Sequence, residues 1–305
     1  MKYRVYDGSY FLHRAIAAQF DQKLTNHAGI FTGGSFGFIR MLFNRVKEGK
    51  PLVVFDHSRP KFRTDLLPSY KQKDESNLRH EQKLARAELR NRVNLSIVQL
   101  KELLPKMGVP VVCVEGQEGD DIVYFTSLLL KNSGNEVEIV SDDTDYYGMC
   151  IDDLVIYRDL KKEHMTKADF FIRYGFSVDY YYLYLSLVGT HNSVPGIPGV
   201  GSKTAAKYMT LLENSKLGPT VDNLFETLKK EKQGKTVGKV LSNRDIIERN
   251  LKLIDFRLNP LDRSLVVTSY LDAVKNTCID VDFVTKKFDE YEFNSLNKIL
   301  INLRY

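Results

Sequence analysis

The sequence predicts an α/β fold, with a mostly parallel central sheet and flanking helices, followed by a C-terminal part built only of helices. Three observations predict it. In the first half, short β-rich runs alternate with longer helical stretches, the pattern of strands joined by crossover helices. Those runs end at acidic residues. Beyond about Ile172 the alternation stops, and helix-forming sequence continues to Tyr305.

The strands come in order as follows. Lys2 to Tyr6 ends at Asp7, Pro51 to Phe55 at Asp56, and Val109 to Val114 at Glu115 with Glu118 just beyond. Val137 to Val140 leads into Asp142, Asp143 and Asp145, and Leu154 to Tyr157 ends near Asp159. Ligands of parallel sheets bind at the carboxyl ends of the strands, so these acids predict a single acidic cluster. Its sharpest part is Glu118-Gly-Asp-Asp121, which opens a helix predicted over Ile122 to Lys131. One or two acids at a helix start only complement its dipole. Three of them, converging with Asp7, Asp56, Asp143 and Asp145, would repel unless a cation were shared. Hard oxygen ligands suit Mg²⁺ or Mn²⁺ and point to metal-assisted phosphodiester chemistry. Extended alternation after the fourth strand puts Asp143 and Asp145 on one side and Asp142 on the other, which makes Asp142 the weaker candidate.

An insertion from His57 to about Leu104 separates the second and third strands. Between His57 and Lys101 it carries eleven basic residues against five acidic ones, whereas the net charge of the whole chain is only +5. The basicity is therefore local. Asn77 to Leu104 lacks Gly and Pro, so one or two helices are expected. A solvated helix face is the plain account of such a charge run, and a surface for nucleic acid is the other.

In the second half, the apolar and aromatic run Tyr180 to Val188 precedes Gly196-Ile-Pro-Gly-Val-Gly201 and a helix from Ser202 to Leu212. Gly196, Gly199 and Gly201 let the backbone turn sharply, and successive amides before a helix can hold a phosphate oxygen. With Ser202 as N-cap and Lys203 and Thr204 behind it, the segment looks like the hairpin of a helix-hairpin-helix module. An ordinary Gly/Pro loop is the alternative, and the spacing excludes a Walker A loop. Lys229 to Lys239 is a basic connector. The division between the two parts is expected near residue 175, giving domains 1–175 and 176–305.

With 305 residues, 43% apolar and 27% charged, the chain is neither disordered nor collagen-like. Three dispersed cysteines argue against a disulfide framework or zinc cluster. No apolar run approaches the ~18 residues of a membrane span. A soluble, cytoplasmic protein is expected.

Taken together, the motifs resemble the 5′ nuclease superfamily of flap endonucleases and 5′-to-3′ exonucleases, in particular bacteriophage members and the 5′ nuclease domain of bacterial DNA polymerase I. The resemblance rests on Tyr6-Asp-Gly-Ser9 with Arg14, Val53-Val-Phe-Asp56, Phe62-Arg63, and Leu67-Pro-Ser-Tyr-Lys71. It continues through Glu118-Gly-Asp-Asp121, Ser141-Asp-Asp-Thr-Asp145 and Gly196-Ile-Pro-Gly-Val-Gly-Ser-Lys-Thr-Ala205 to the weaker Arg249-Asn-Leu-Lys-Leu-Ile-Asp255. It implies a PIN-like (Rossmann-like) sheet with a helical arch at about 57–104 and a helix-hairpin-helix (H3TH) module. By position, Asp7, Asp56, Glu118 and Asp120 would hold a first Mg²⁺ or Mn²⁺, and Asp121, Asp143 and Asp145 a second. Lys71 matches a catalytic lysine that contacts the scissile phosphate, and Arg14 an arginine near it. Arg59, Arg63, Lys73, Arg79, Lys83, Arg86 and Arg90 would handle the nucleic-acid strand. The resemblance also implies K⁺ at the helix-hairpin-helix, a monomer, DNA with 5′ ends, nicks or flaps as partner, RNA-DNA hybrid as a further substrate, and replication proteins nearby. Two departures stand out. Gly189-Thr-His-Asn-Ser-Val-Pro-Gly196 is one residue short and has lost two aspartates, leaving the neutral Thr190, His191 and Asn192. Asp74 stands where an arginine is usual. The first implies a weaker second metal site. It also motivates a second reading, a DNA-structure-binding accessory protein with little catalysis.

Overall fold

The computed structural model describes residues 1–18, 24–45, 49–72, 77–190, 194–231 and 234–303. Lys73, Asp74, His191 and Asn192 lie outside the described residues. The chain begins β1 (Lys2–Asp7), α1 (Gly8–Ala18), α2 (Gly33–Phe43), β2 (Lys50–Val54), α3 (Lys61–Leu66) and α4 (His80–Lys106). It continues β3 (Val111–Val112), α5 (Gly119–Asn132), β4 (Glu136–Val140), β5 (Val155–Arg158), β6 (Glu163–Met165) and α6 (Lys167–Tyr174). The remaining helices are α7 (Tyr181–Val188), α8 (Ser202–Asn214), α9 (Val221–Lys230), α10 (Lys235–Leu241), α11 (Arg244–Ile254), α12 (Arg263–Lys275), α13 (Val281–Tyr291) and α14 (Asn297–Leu303).

Two compact units share the chain, one formed by residues 1–58, 74–141 and 262–305, the other by residues 59–73 and 142–261. This division differs from the one expected at 175. α12 packs on β3 and α5, and Met107 pairs with Ile279 through a β-bridge, so the last helices belong with the first unit.

In the first unit four strands run parallel in the order β3-β2-β1-β4. Asp7 lies opposite Val54 and Tyr6 opposite Val140, so the strand ends are level where the acids begin. β1 sits between two partners, and Val5 and Tyr6 are wholly buried with Phe11, Leu12, Phe38 and Ile39 from α1 and α2. Each such side chain contributes roughly 1.5–3 kcal/mol. β3 is shorter than the expected run from Val109, since Pro110 has no N–H and joins only through its carbonyl, which accepts from Val53 N–H at 3.0 Å.

A buried charge group crosses β1 and β4. Glu138, 5% exposed, accepts from Arg4 Nε at 2.8 Å and Lys2 Nζ at 2.6 Å. Burial is the strongest single influence on its carboxyl and favours the neutral form, but the Lys2 hydrogen bond and then Arg4 together outweigh it and hold the pKa below the ordinary value. Because the folded-state pKa is depressed, the group stabilises fully above its unfolded value, about 4.3, and this stabilisation is lost as pH falls through the folded pKa. Glu138→Gln is expected to cost about 3 kcal/mol at neutral pH and to flatten the acid limb of stability below about pH 4.3, as urea unfolding across pH would measure.

In the second unit β5 and β6 form an antiparallel pair, Ile156 opposite Met165. β6 is too short and polar to read from sequence. α6 starts at a Thr166–Asp169 capping box and stops at Gly175, whose φ of 77° suits the left-handed end of a helix. α7 is buried from Tyr181 to Leu187, which explains a run apolar on every side. Phe170 stacks on Tyr174 at 4.4 Å and meets Tyr181 edge-on at 5.0 Å. Among the described residues no helix is long and apolar enough to cross a membrane, and Cys113, Cys150 and Cys278 are free.

Candidate active site

The first unit sets Asp7 and Asp56 at the carboxyl ends of β1 and β2 and Glu118, Asp120 and Asp121 at the start of α5. Asp7 ends β1, and its Oδ1 accepts the Tyr10 N–H at 2.9 Å, so it also caps α1. Gly8 follows because a Cβ there would stand 2.6 Å from the Val54 carbonyl oxygen. That close approach brings Ser9 Oγ to the Asp56 N–H, 3.2 Å away, and ties the end of β1 to that of β2. Asp56 is exposed, and its Oδ1 accepts the N–H of Gly119, the first residue of α5, at 2.6 Å. His57 N–H reaches the Gln117 carbonyl at 3.3 Å. Asp56 is therefore seated against the turn that carries Glu118, Asp120 and Asp121. Glu118 and Asp121 are 3% and 1% exposed, while Asp120 is half-buried. Ser141 Oγ lies 3.3 Å from Asp7 Oδ2. Ser141 thus orients the Asp7 carboxylate and Ser9 holds the Asp56 backbone, functions the motif reading did not assign to them.

Two of these acids face helix starts, the bland reading of acids at such positions. The same hydrogen bonds also fix carboxylate oxygens in place, as outer contacts do around hard metal ions. Among the described residues no three His, Cys, Asp or Glu side chains close into a finished metal cage. An ion of the Mg²⁺ type retains waters and takes phosphate oxygens, so an all-oxygen set of this kind fits it by donor chemistry. Arg14 lies on α1 with its guanidinium 5.8 Å from the Phe11 ring.

α4 is a single helix of 27 residues whose first buried side chain is Arg92. Arg79, Lys83, Arg86 and Arg90 recur at intervals of four, three and four, which places them within an arc of roughly 60° on one face.

In the second unit the extended chain after β4 ends at Asp143, whose φ is −69° and ψ 129°. Thr144–Asp152 is a 3₁₀ helix, and Asp143 Oδ1 accepts the Asp145 N–H at 2.9 Å as its N-cap. The alternation argument therefore does not reach Asp145, which lies in the helix. Asp142 is instead occupied by the Leu160 N–H, at 3.0 and 3.2 Å from its two oxygens. Asp143 is exposed and Asp145 half-buried.

Lys71 is half-buried with φ of 50°, its Nζ 5.6 Å from the Tyr70 ring. Arg59 donates to the Tyr70 carbonyl at 3.2 Å. Arg63 is a correction. It is 2% exposed and its guanidinium lies 5.2 Å from the Phe62 ring and 5.7 Å from the Tyr70 ring. A side chain so buried does not present a surface to a strand.

The glycine hairpin forms as expected, with one change. Ile197-Pro-Gly-Val200 is a turn closed by Val200 N–H to the Ile197 carbonyl at 3.0 Å, and Gly199 has φ of 82°. Pro followed by Gly at its centre is the type II signature. An added Cβ at Gly196 would overlap the Val188 carbonyl, and one at Gly189 the Val194 carbonyl. Gly201 has open space on that side. The N-cap of α8 is Gly201, in extended conformation, and Ser202 is the first helical residue, with Lys203 exposed and Thr204 half-buried behind it. Thr190 Oγ1 accepts the Val194 N–H at 3.2 Å, closing the shortened loop. Asn250, wholly buried, donates to the Ser186 and Pro195 carbonyls, both at 2.9 Å. This gives the Arg249-to-Asp255 motif a structural role in fixing the start of the hairpin.

Residues 2–175 match the model of the 5′-3′ exonuclease, N-terminal resolvase-like domain. A 5′-3′ exonuclease of Aquifex aeolicus is 26% identical over 298 residues, covering 96% of this chain and 93% of its own length. DNA polymerase I of Mycobacterium bovis is 27% identical over 304 residues, covering 97% of this chain. The chain spans 31% of that polymerase's length. The bacteriophage T5 flap endonuclease, solved in a pseudo-enzyme-product complex with DNA and metal ions, superposes with a TM-score of 0.72 at 15% identity, over 91% of this chain and 99% of that one. At that identity the likeness speaks for the fold. With more than half its length matched by the family model, the chain belongs to the 5′-3′ exonuclease family.

Proposed function

We propose that the chain is a structure-specific 5′ nuclease that hydrolyses phosphodiester bonds of DNA at 5′ ends, nicks or flaps, with RNA-DNA hybrid as a further substrate. The observation that carries this reading is the seating of Asp56 against Gly119 in a chain of this family, which joins the acid after β2 to those that open α5. Asp7, Asp56, Glu118 and Asp120 would hold one divalent ion, Mg²⁺ or Mn²⁺, with Asp121, Asp143 and Asp145 serving a second. Such an ion, when bound, supplies charge neutralisation at the phosphate and activation of the attacking water.

The chain's own groups do the rest. The Tyr10 and Gly119 amides and the Ser141 hydroxyl hold the strand-end carboxylates of Asp7 and Asp56 in fixed orientation, which spares reorganisation during the reaction. Lys71 and Arg14 offer positive charge to the phosphate undergoing attack. The stripe Arg79, Lys83, Arg86 and Arg90 attracts a single strand through its phosphates. Gly199, Gly201, Lys203 and Thr204 grip a duplex by its backbone, so recognition follows structure and polarity rather than sequence.

Purified protein incubated with Mg²⁺ or Mn²⁺ and 5′-labelled flap, nicked and RNA-primed duplexes tests the proposal. Release of short metal-dependent products is expected. Tight binding to the same duplexes with no product would favour the accessory-protein reading, for which the loss of carboxylates around Thr190 is the motive.

A further inference from the structure

A lysine far along the chain is built into the glycine hairpin. Lys239, on α10, donates from Nζ to the Pro198 carbonyl at 2.9 Å. It lies directly over the turn, because a Cβ added at Gly199 would overlap its ammonium. The fold sets this position. Asn243 Nδ2 donates to the Lys239 carbonyl at 2.7 Å, and Tyr208 of α8 donates to Thr236 of α10 at 2.8 Å. A lysine ammonium has three donors and accepts nothing, so the Pro198 bond engages one and two are available to an acceptor. Lys203 and Lys207 are exposed one turn apart on α8, and Lys235 is exposed one turn before Lys239 on α10.

We propose that Lys239 is a phosphate-binding residue for duplex nucleic acid, its ammonium fixed at the hairpin by the Pro198 carbonyl so that it supplies the charge and the turn supplies the backbone amides. The proposal rests on the nuclease reading and names the residue on which duplex affinity at the hairpin depends. A tethered ammonium loses less side-chain freedom on binding than an unrestrained one, which is why it should outrank the exposed lysines beside it. Gly199 then has two reasons to lack a side chain, its positive φ and the space the ammonium occupies.

The test is equilibrium binding of the full chain to a labelled blunt duplex, by fluorescence anisotropy without divalent metal, between about 50 and 200 mM salt. Lys239→Gln is expected to bind about tenfold more weakly, with the slope of log K against log salt shallower by about 0.9, the value for one phosphate contact. Lys239→Arg should recover most of both. Lys230→Gln removes the same charge from an ammonium already bonded to Glu226 at 2.7 Å and should leave both unchanged. A variant that weakens binding but keeps the wild-type slope, with no recovery by arginine, would assign Lys239 a structural role only and overturn the proposal. So would a Lys239→Gln protein indistinguishable from wild type. Wild type that binds no duplex would overturn the nuclease reading and this one with it.

Discussion

Asp120→Ala is expected to reduce metal-dependent cleavage by about a thousandfold or more while leaving duplex binding within twofold of wild type. Electrostatic groups aimed at the reacting centre are worth about 10²–10³ each in rate, and a carboxylate that holds an ion loses that ion's contribution as well. The fold should survive. Asp120 is half-buried in the first turn of α5, and the bonds that start this helix, Gly119 N–H to Asp56 and Ile122 N–H to the Glu118 carbonyl, do not involve its side chain. Single-turnover cleavage of a labelled flap, alongside anisotropy and thermal melting, separates the effects. An Asp120→Ala protein with full activity would refute the placement of the acids in catalysis.

Lys71 carries the second large effect. A lysine with φ of 50° occupies a region that costs roughly 1–2 kcal/mol for a residue with a Cβ. The turn that imposes it is fixed by Tyr70 N–H to the Leu67 carbonyl at 2.8 Å and Gln72 N–H to the Ser69 carbonyl at 3.0 Å. Glycine would relieve the strain, so the side chain itself is the reason for a lysine here. Under the proposed function, in which its charge meets the phosphate under attack, Lys71→Ala is expected to lower kcat about a hundredfold with little change in KM. Lys71→Gly should be equally inactive yet no less stable than wild type, gaining up to about 1 kcal/mol. A Lys71→Gly protein that kept its activity would show that the backbone, not the ammonium, is what the turn provides.

Most of the site was legible because parallel strands place their carboxyl ends at one edge, so an acid after each run already implies neighbours. Asp7, Asp56 and Glu118 needed only that geometry. Gly8 and Gly196 were legible as glycines but not as close contacts, since the carbonyls they must clear belong to Val54 and Val188. The alternation rule could not place Asp145, because it assumes an extended chain and the backbone turns into a 3₁₀ helix at Thr144. Arg63 could not be told from its surface neighbours, because its burial depends on both Phe62 and Tyr70 closing on it. The role of Lys239 had no local signal at all, its acceptor lying 41 residues earlier. The place of α12 beside β3 likewise depends on contacts between segments about 150 residues apart in the chain.

The long helix α4 acts mechanically as a beam clamped at one end. Its C-terminal half is held by buried Ser96, Gln99, Leu100, Leu103 and Leu104, whereas the twelve positions before Arg92 bury nothing. That leading stretch is roughly 18 Å long at 1.5 Å per residue, and without packing it has only its own marginal helix stability. A strand laid along its basic face would therefore be gripped and would stiffen the beam in the same event. Occupancy should be readable without any cleavage, as slowed amide hydrogen exchange confined to the stretch before Arg92.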